Sequence, residues 1–212
     1  MTKKLQHNLH PVKNSAIRFS SGHAYSSLDI ATFLQIIESC IGKANAAYKR
    51  EQIKKLFTDY NWIEHHRDKR THRKVLSESN IIEYEHEKLT AIYLTKMNYD
   101  VIFAPGGMFK RTDKKFDVFL LRDTIILKAD LKNISTKNSS NIAKRIKEGS
   151  DQAPRIVANI TSDVDKNILI DGLKSASRNN ELLKEILLIY KGQFYKLPKS
   201  LVLSKEIYRI LK

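Results

Sequence analysis

Asp117, Asp130 and Lys132 are the residues of this chain whose types and spacing suit chemistry. They lie in KKFDVFLLRDTIILKADLKN, residues 114–133, where the apolar runs FDVFLL and TIIL flank a polar Arg122-Asp123 and predict a β-hairpin. Charged residues weaken strands and are costly to bury without partners, so their presence needs a reason. With the strand period of two, Asp130 and Lys132 point to one face of the sheet. A hairpin turning at Arg122-Asp123 sets Asp117 across from the 128–130 region, in reach of Asp130. Hard divalent cations take oxygen ligands, commonly one or two carboxylates completed by water and substrate phosphate oxygens. Such a cation polarises a phosphate and lowers the pKa of a bound water. A nearby ammonium orients that water or offsets charge on the phosphorane. The chemistry is phosphodiester hydrolysis. A lone D-x-K is common, and the plain alternative is a hairpin with solvated charges and a cross-strand salt bridge. TIIL running straight into Lys128-Ala129-Asp130-Leu131-Lys132 argues instead for a buried face.

The elements that must position these side chains follow from periodicity. Ser27–Ile41 and Ala44–Tyr60 carry helical patterns, and residues 1–25 have no clear period. The stretch HHRDKRTHRK, 65–74, contains no apolar residue and reads as an exposed basic loop or helix end. Residues 79–97 predict a helix capped by Ser79 or Asn80, with acids in its early turns. A strand, YDVIFA (99–104), is broken by Pro105-Gly106-Gly107, and a basic loop then leads into the hairpin. Beyond it the pattern predicts a helix over 141–152, a strand over 155–160 and mostly helix over 164–187. A strand pair turning at Lys191-Gly192 and a short terminal helix close the chain. The expected fold class is α/β around a small mixed sheet, preceded by a helical basic N-terminal region. The expected boundary separates residues 1–77 from a domain over 78–212.

The pattern Asp117-(x)12-Asp130-Leu131-Lys132 resembles the signature of the PD-(D/E)xK nuclease superfamily. More closely, residues 83–160 resemble the tRNA-nuclease toxin domains at the C-termini of contact-dependent growth inhibition proteins. Those run E-x3-A-x2-L-x3-GY-x-V, then PD, D-x-K, and a helix ending in QA before an apolar strand. This chain has Glu87-x3-Ala91-x2-Leu94-x3-Asn98-Tyr99-Asp100-Val101, then Phe116-Asp117, Asp130-Leu131-Lys132, and Gln152-Ala153 before RIVANI. It departs in having Phe116 for the proline and Asn98 for the glycine, and it lacks the toxin-precursor junction motif at its N-terminus. Asn tolerates the left-handed backbone that glycine would adopt.

The resemblance implies a PD-(D/E)xK (restriction-endonuclease-like) core in 78–212. Glu87, Asp117 and Asp130 would hold Mg2+ or another divalent cation such as Mn2+ or Zn2+, and Lys132 would assist hydrolysis. Glu83 is the alternative helical acid, and Asp113 ranks below Asp117. Gln152 either contacts the metal-bound water or substrate phosphate, or caps its helix. The implied activity is a metal-dependent endoribonuclease toxin cutting tRNA. It implies a cognate, acidic immunity protein, and action in the cytoplasm of a target bacterial cell after delivery from the producing cell. The alternatives are a DNA endonuclease of a restriction or mobile-element system and a non-catalytic nucleic-acid-binding module, since one core serves many functions.

Bulk charge agrees with a polyanionic partner. Lys and Arg number 38 against 23 Asp and Glu, a net charge of +15 on 212 residues. The excess is spread along the chain, 14 against 7 over residues 1–80 and 24 against 16 over 81–212. The basic loop FKRTDKK (109–115), with Lys110, Arg111, Lys114 and Lys115, lies beside the proposed site and suits phosphate contacts. Arg67 and Arg70 in the 65–74 run suit them too. His65, His66 and His72 in that run read as further phosphate contacts or solvated side chains. Asn133, Ser135 and Thr136 read as solvated loop. One cysteine, Cys40, excludes an intramolecular disulfide framework. No apolar run reaches the roughly 20 residues that span a bilayer, so no stable membrane association is expected. The N-terminus has a basic start without an apolar core and is not a classical signal peptide.

Overall fold

A computed structural model of the chain describes residues 62–78, 82, 84–104, 115–122 and 125–211. The helical patterns expected over 27–60, and Lys110, Arg111, Lys114, Glu83 and Asp113, lie outside the described residues. Among the described residues eight strands form one mixed sheet whose spatial order is the chain order. They are β1 (Ile63–Arg67), β2 (Lys74–Ser77), β3 (Asp100–Phe103), β4 (Val118–Arg122), β5 (Ile125–Ile134), β6 (Arg155–Ile160), β7 (Glu185–Tyr190) and β8 (Gln193–Pro198). Helix α1 (Glu85–Lys96) joins β2 to β3, α2 (Ser139–Ser150) joins β5 to β6, and α3 (Lys166–Ser177) joins β6 to β7. Two short helices, α4 (Lys199–Leu203) and α5 (Ile207–Ile210), follow β8. Each of the three helical crossovers links parallel neighbours, and the remaining pairs are antiparallel. That is the connectivity the two pairing types require.

Side-chain alternation divides the core into two layers. On one face Ile134, Ile156, Ala158, Ile186 and Leu188 pack under Ile142 and Ile146 of α2 and Leu169 and Leu173 of α3. On the other face Val101, Leu120, Leu131, Val157 and Leu187 pack under Ala91 and Leu94 of α1. β6 shows the rule within one strand, sending Ile156 and Ala158 one way and Val157 the other.

Helix ends follow local chemistry. The Asn138 side chain accepts from the N–H groups of Ser140 (2.8 Å) and Asn141 (3.2 Å) at the start of α2. Asp165 accepts from Asn167 N–H (2.7 Å) at the start of α3. α1 begins at Glu85 with Tyr84 as its N-cap and no side-chain cap bond; the expected caps Ser79 and Asn80 lie outside the described residues. α1 ends with Met97 as its C-cap, and Asn98 just beyond has φ 69°, the left-handed conformation expected of the residue standing for glycine. Lys191 and Gly192 both have positive φ, 48° and 72°, as a two-residue hairpin between β7 and β8 demands. The helix expected over 164–187 ends at Ser177, and Glu185 already belongs to β7.

The largest correction concerns HHRDKRTHRK. It is no exposed loop or helix end but a strand, a turn and the start of a second strand. The absence of apolar residues was a poor guide because Arg67, Arg73 and Lys74 are each paired with an acid. Lys74, 2 % exposed, places its ammonium 3.3 Å from Glu64. Arg73 reaches Asp100 at 2.8 Å, and Asp100 also accepts from Lys74 N–H at 2.8 Å. Asp68 closes the turn by accepting from the N–H groups of Arg70 and Thr71. Val75 and Leu76 then pair with Val101 and Ile102 of β3, so the sheet reaches back past the boundary expected at 77/78.

Candidate metal centre

The site is built where β5 changes partners. Its first half pairs with β4, from Arg122↔Ile125 to Val118↔Ala129, and its second half pairs with β6, from Asp130↔Ile156 to Ile134↔Ile160. Asp130 is the first residue past the end of the β4 ladder, and Asp117 is the residue just before β4. The Asp117 side chain takes the place of the missing strand: its Oδ2 accepts from Leu131 N–H at 2.7 Å. This holds its carboxyl against that of Asp130, close enough for a side-chain hydrogen bond when Asp130 is protonated.

Asp130 and Lys132 share a face with Ile134, under α2. Asp130 is 0 % exposed, and Lys132 places its Nζ 2.5 Å from Asp130 Oδ2. That contact is close but off the hydrogen-bonding angles, so Oδ2 is buried without a directed hydrogen bond. Burial raises the Asp130 pKa from 3.8 to about 7; the charge of Asp117 adds to the rise, and Lys132 opposes it. Gln152 follows α2 and, with its amide nitrogen turned inward, donates to Asp130 Oδ1 at 3.2 Å and to the Lys115 carbonyl.

The structure therefore brings together Asp117, Asp130, Lys132 and Gln152. It does not gather Glu87 with them. Glu87 lies one turn before Ala91 on α1, the helix that covers the opposite face of the sheet. Among the described residues no group of three or more His, Cys, Asp or Glu side chains forms a metal-ligand set. Two carboxylates remain a sufficient protein contribution for Mg2+, which keeps several waters and takes phosphate oxygens. The residues present fit a hard cation: two adjoining carboxylates, one fully buried, with an oxygen lacking a directed donor. A cation there would offset the burial and repulsion that raise the Asp130 pKa.

The basic residues expected to bind nucleic acid divide. Lys115 is exposed two residues before Asp117. Arg67 instead forms a two-pronged pair with Glu64, at 2.8 and 2.7 Å, and Arg70 donates to the Lys96 carbonyl at the end of α1. Both guanidinium groups are thus engaged within the fold. His65 Nε2 lies 2.7 Å from Ser77 Oγ, and His72 occupies the turn with φ 58°. Asn133, expected in solvated loop, is in β5 with its Oδ1 buried and unpartnered. Gly149 of α2 was missed from the sequence although it lies against Asp130 and Lys132. Its one available signal was a glycine inside an amphipathic helix.

Comparison of the chain with protein-family models, with curated proteins and with solved structures gave no match. No helix among the described residues is long and apolar enough to cross a membrane.

Proposed function

We propose that this protein is a metal-dependent nuclease with a PD-(D/E)xK-like core, hydrolysing phosphodiester bonds in RNA, with tRNA as the substrate. The observation that carries the reading is the convergence of Asp117, buried Asp130 and Lys132 at the partner change of β5. The run α1-β3-β4-β5-α2-β6 supports it, since it supplies the helix, three-strand meander, helix and strand in the order expected of such a core. The choice of RNA rests on the net charge of +15 and on the resemblance to tRNA-nuclease toxin domains. On the same resemblance the protein acts as a toxin in the cytoplasm of a target bacterium, held in check by an acidic immunity protein.

Asp117 and Asp130 would hold the cation, which when bound supplies Lewis acidity to the scissile phosphate and acidity to a water. Hydrolysis adds the water oxygen to phosphorus and releases the ribose oxygen, which leaves with a proton. Lys132 holds positive charge beside Asp130, favouring its ionised form and offsetting negative charge that builds on the phosphate. Gln152 fixes the direction of Asp130 Oδ1. Glu87 has no part in this account, because α1 covers the other face.

The test is incubation of the purified full chain with total tRNA and with duplex DNA, in Mg2+ and in EDTA, beside Asp130→Ala. Metal-dependent tRNA cleavage that disappears in the variant is the expected result. Cleavage of DNA instead moves the protein to a restriction or mobile-element class. Tight binding without cleavage of either makes it a binding module.

A further inference from the structure

Helix α2 contains a glycine at 149, although glycine is a poor helix former. Conformational freedom does not explain it: among the described glycines only Gly192 has a positive φ. Space does. A Cβ at 149 would lie 2.6 Å from Asp130 Oδ2, 2.9 Å from Ile156 Cδ1 and 3.2 Å from Lys132 Cε. The first distance is one that real Cβ atoms do not show, and it falls on a buried carboxylate at the middle of a strand. The Gly149 carbonyl also accepts from the N–H groups of Gln152 (2.9 Å) and Ala153 (3.0 Å). Those bonds shape the turn that carries the Gln152 amide to Asp130 Oδ1.

We propose that Gly149 is a positioning residue of the two-aspartate site: its missing side chain lets α2 close directly over the Asp130–Lys132 pair, and its carbonyl sets the reach of Gln152. The proposal rests on the cation-binding reading above. α2 is then more than a crossover between β5 and β6. Its last turn is the lid that dries the Asp130 carboxyl and holds Lys132 beside it, and any side chain at 149 pushes the pair apart.

A second glycine provides the control. A Cβ at Gly172 of α3 would lie 2.8 Å from Ile142 Cγ2, 2.9 Å from Ile142 Cβ and 3.0 Å from the Ser139 carbonyl oxygen, a similarly tight contact, but between α2 and α3 and away from the two aspartates. Both Gly→Ala variants therefore meet comparable crowding, and only one of them meets it at the site.

Mn2+ binding to the full chain at pH 8 is measured by calorimetry for wild type, Gly149→Ala and Gly172→Ala, with a thermal melt of each. The expected result is binding about 10- to 100-fold weaker in Gly149→Ala, the usual effect of disturbing a residue that orients ligands. Gly172→Ala loses thermal stability to a similar degree and binds Mn2+ as wild type does. If Gly149→Ala does not fold, Gly149→Ala with Ile156→Val removes the Cδ1 clash and leaves the Asp130 contact, and its Mn2+ binding stays weak. Wild-type affinity in the folded Gly149→Ala or in the double variant overturns the inference and leaves the two-aspartate reading intact. Equal weakening in Gly149→Ala and Gly172→Ala also overturns it, as mere destabilisation. No Mn2+ binding by wild type overturns the two-aspartate reading, and the inference with it.

Discussion

Replacing Asp130 by asparagine is expected to make the protein more stable and inactive, with a gain that depends on pH. The carboxyl is fully buried, and its pKa rises from 3.8 to about 7 through burial and the charge of Asp117. Below pH 3.8 it is protonated in both folded and unfolded chains and adds no pH dependence. Between 3.8 and about 7 only the unfolded chain has lost the proton, so stability falls as pH rises; above about 7 the full penalty applies. A rise of that size corresponds to roughly 4 kcal/mol. Asparagine keeps the volume, carries no charge and can donate its amide to Asp117. The Asp130→Asn gain is then about 2 kcal/mol at pH 5 and about 4 kcal/mol at pH 8, and the increase between them is the decisive quantity. Urea unfolding of both proteins in EDTA at the two pH values measures it. Mn2+ at a hundred times its dissociation constant, added at pH 8, should return about 2.7 kcal/mol to wild type and nothing to the variant. An equal difference at pH 5 and pH 8, or a variant less stable at pH 8, refutes the claim that Asp130 is held as a strained buried acid.

Two further outcomes follow from the same geometry. Cleavage needs ionised Asp130, so at sub-saturating Mg2+ the rate should rise with pH through about 7, and this limb should move to lower pH as Mg2+ is raised; a rate that is flat from pH 5.5 to 8 at every Mg2+ level contradicts it. Lys115→Ala should leave the melting temperature unchanged, weaken tRNA binding and lower the salt slope of binding by about 1, because Lys115 is exposed beside the site; an unchanged slope removes it from the phosphate-contacting set.

Much of the architecture was legible in the sequence because short-range chemistry dictates it. Apolar runs around Arg122-Asp123 and Lys191-Gly192 produced the two hairpins, and helical periodicity produced the three crossover helices. Asn98 in place of glycine was readable as a left-handed residue. The approach of Asp117 to the 128–130 region was legible, but the exact register was not: Arg122, expected in the turn, is in β4 and pairs with Ile125, which carries Asp117 on to Asp130. The strand-turn-strand of 63–77 was not. Its stability lies in Arg73–Asp100 and Lys74–Glu64, pairs made between strands that no local pattern announces.

The sequence alone determined the chemical types at the site and the strand period that puts Asp130 and Lys132 on one face. Tertiary structure decided which other groups meet them. α2 and α1 lie on opposite faces of the sheet, so Gln152 and Gly149 reach Asp130 and Glu87 does not join the two aspartates. Residues distant in the chain are placed by which face each crossover covers and how closely its helix packs. The raised pKa of Asp130 belongs to the same level: it comes from burial under α2 and from the neighbouring Asp117, and neither exists until the sheet and helix have closed together.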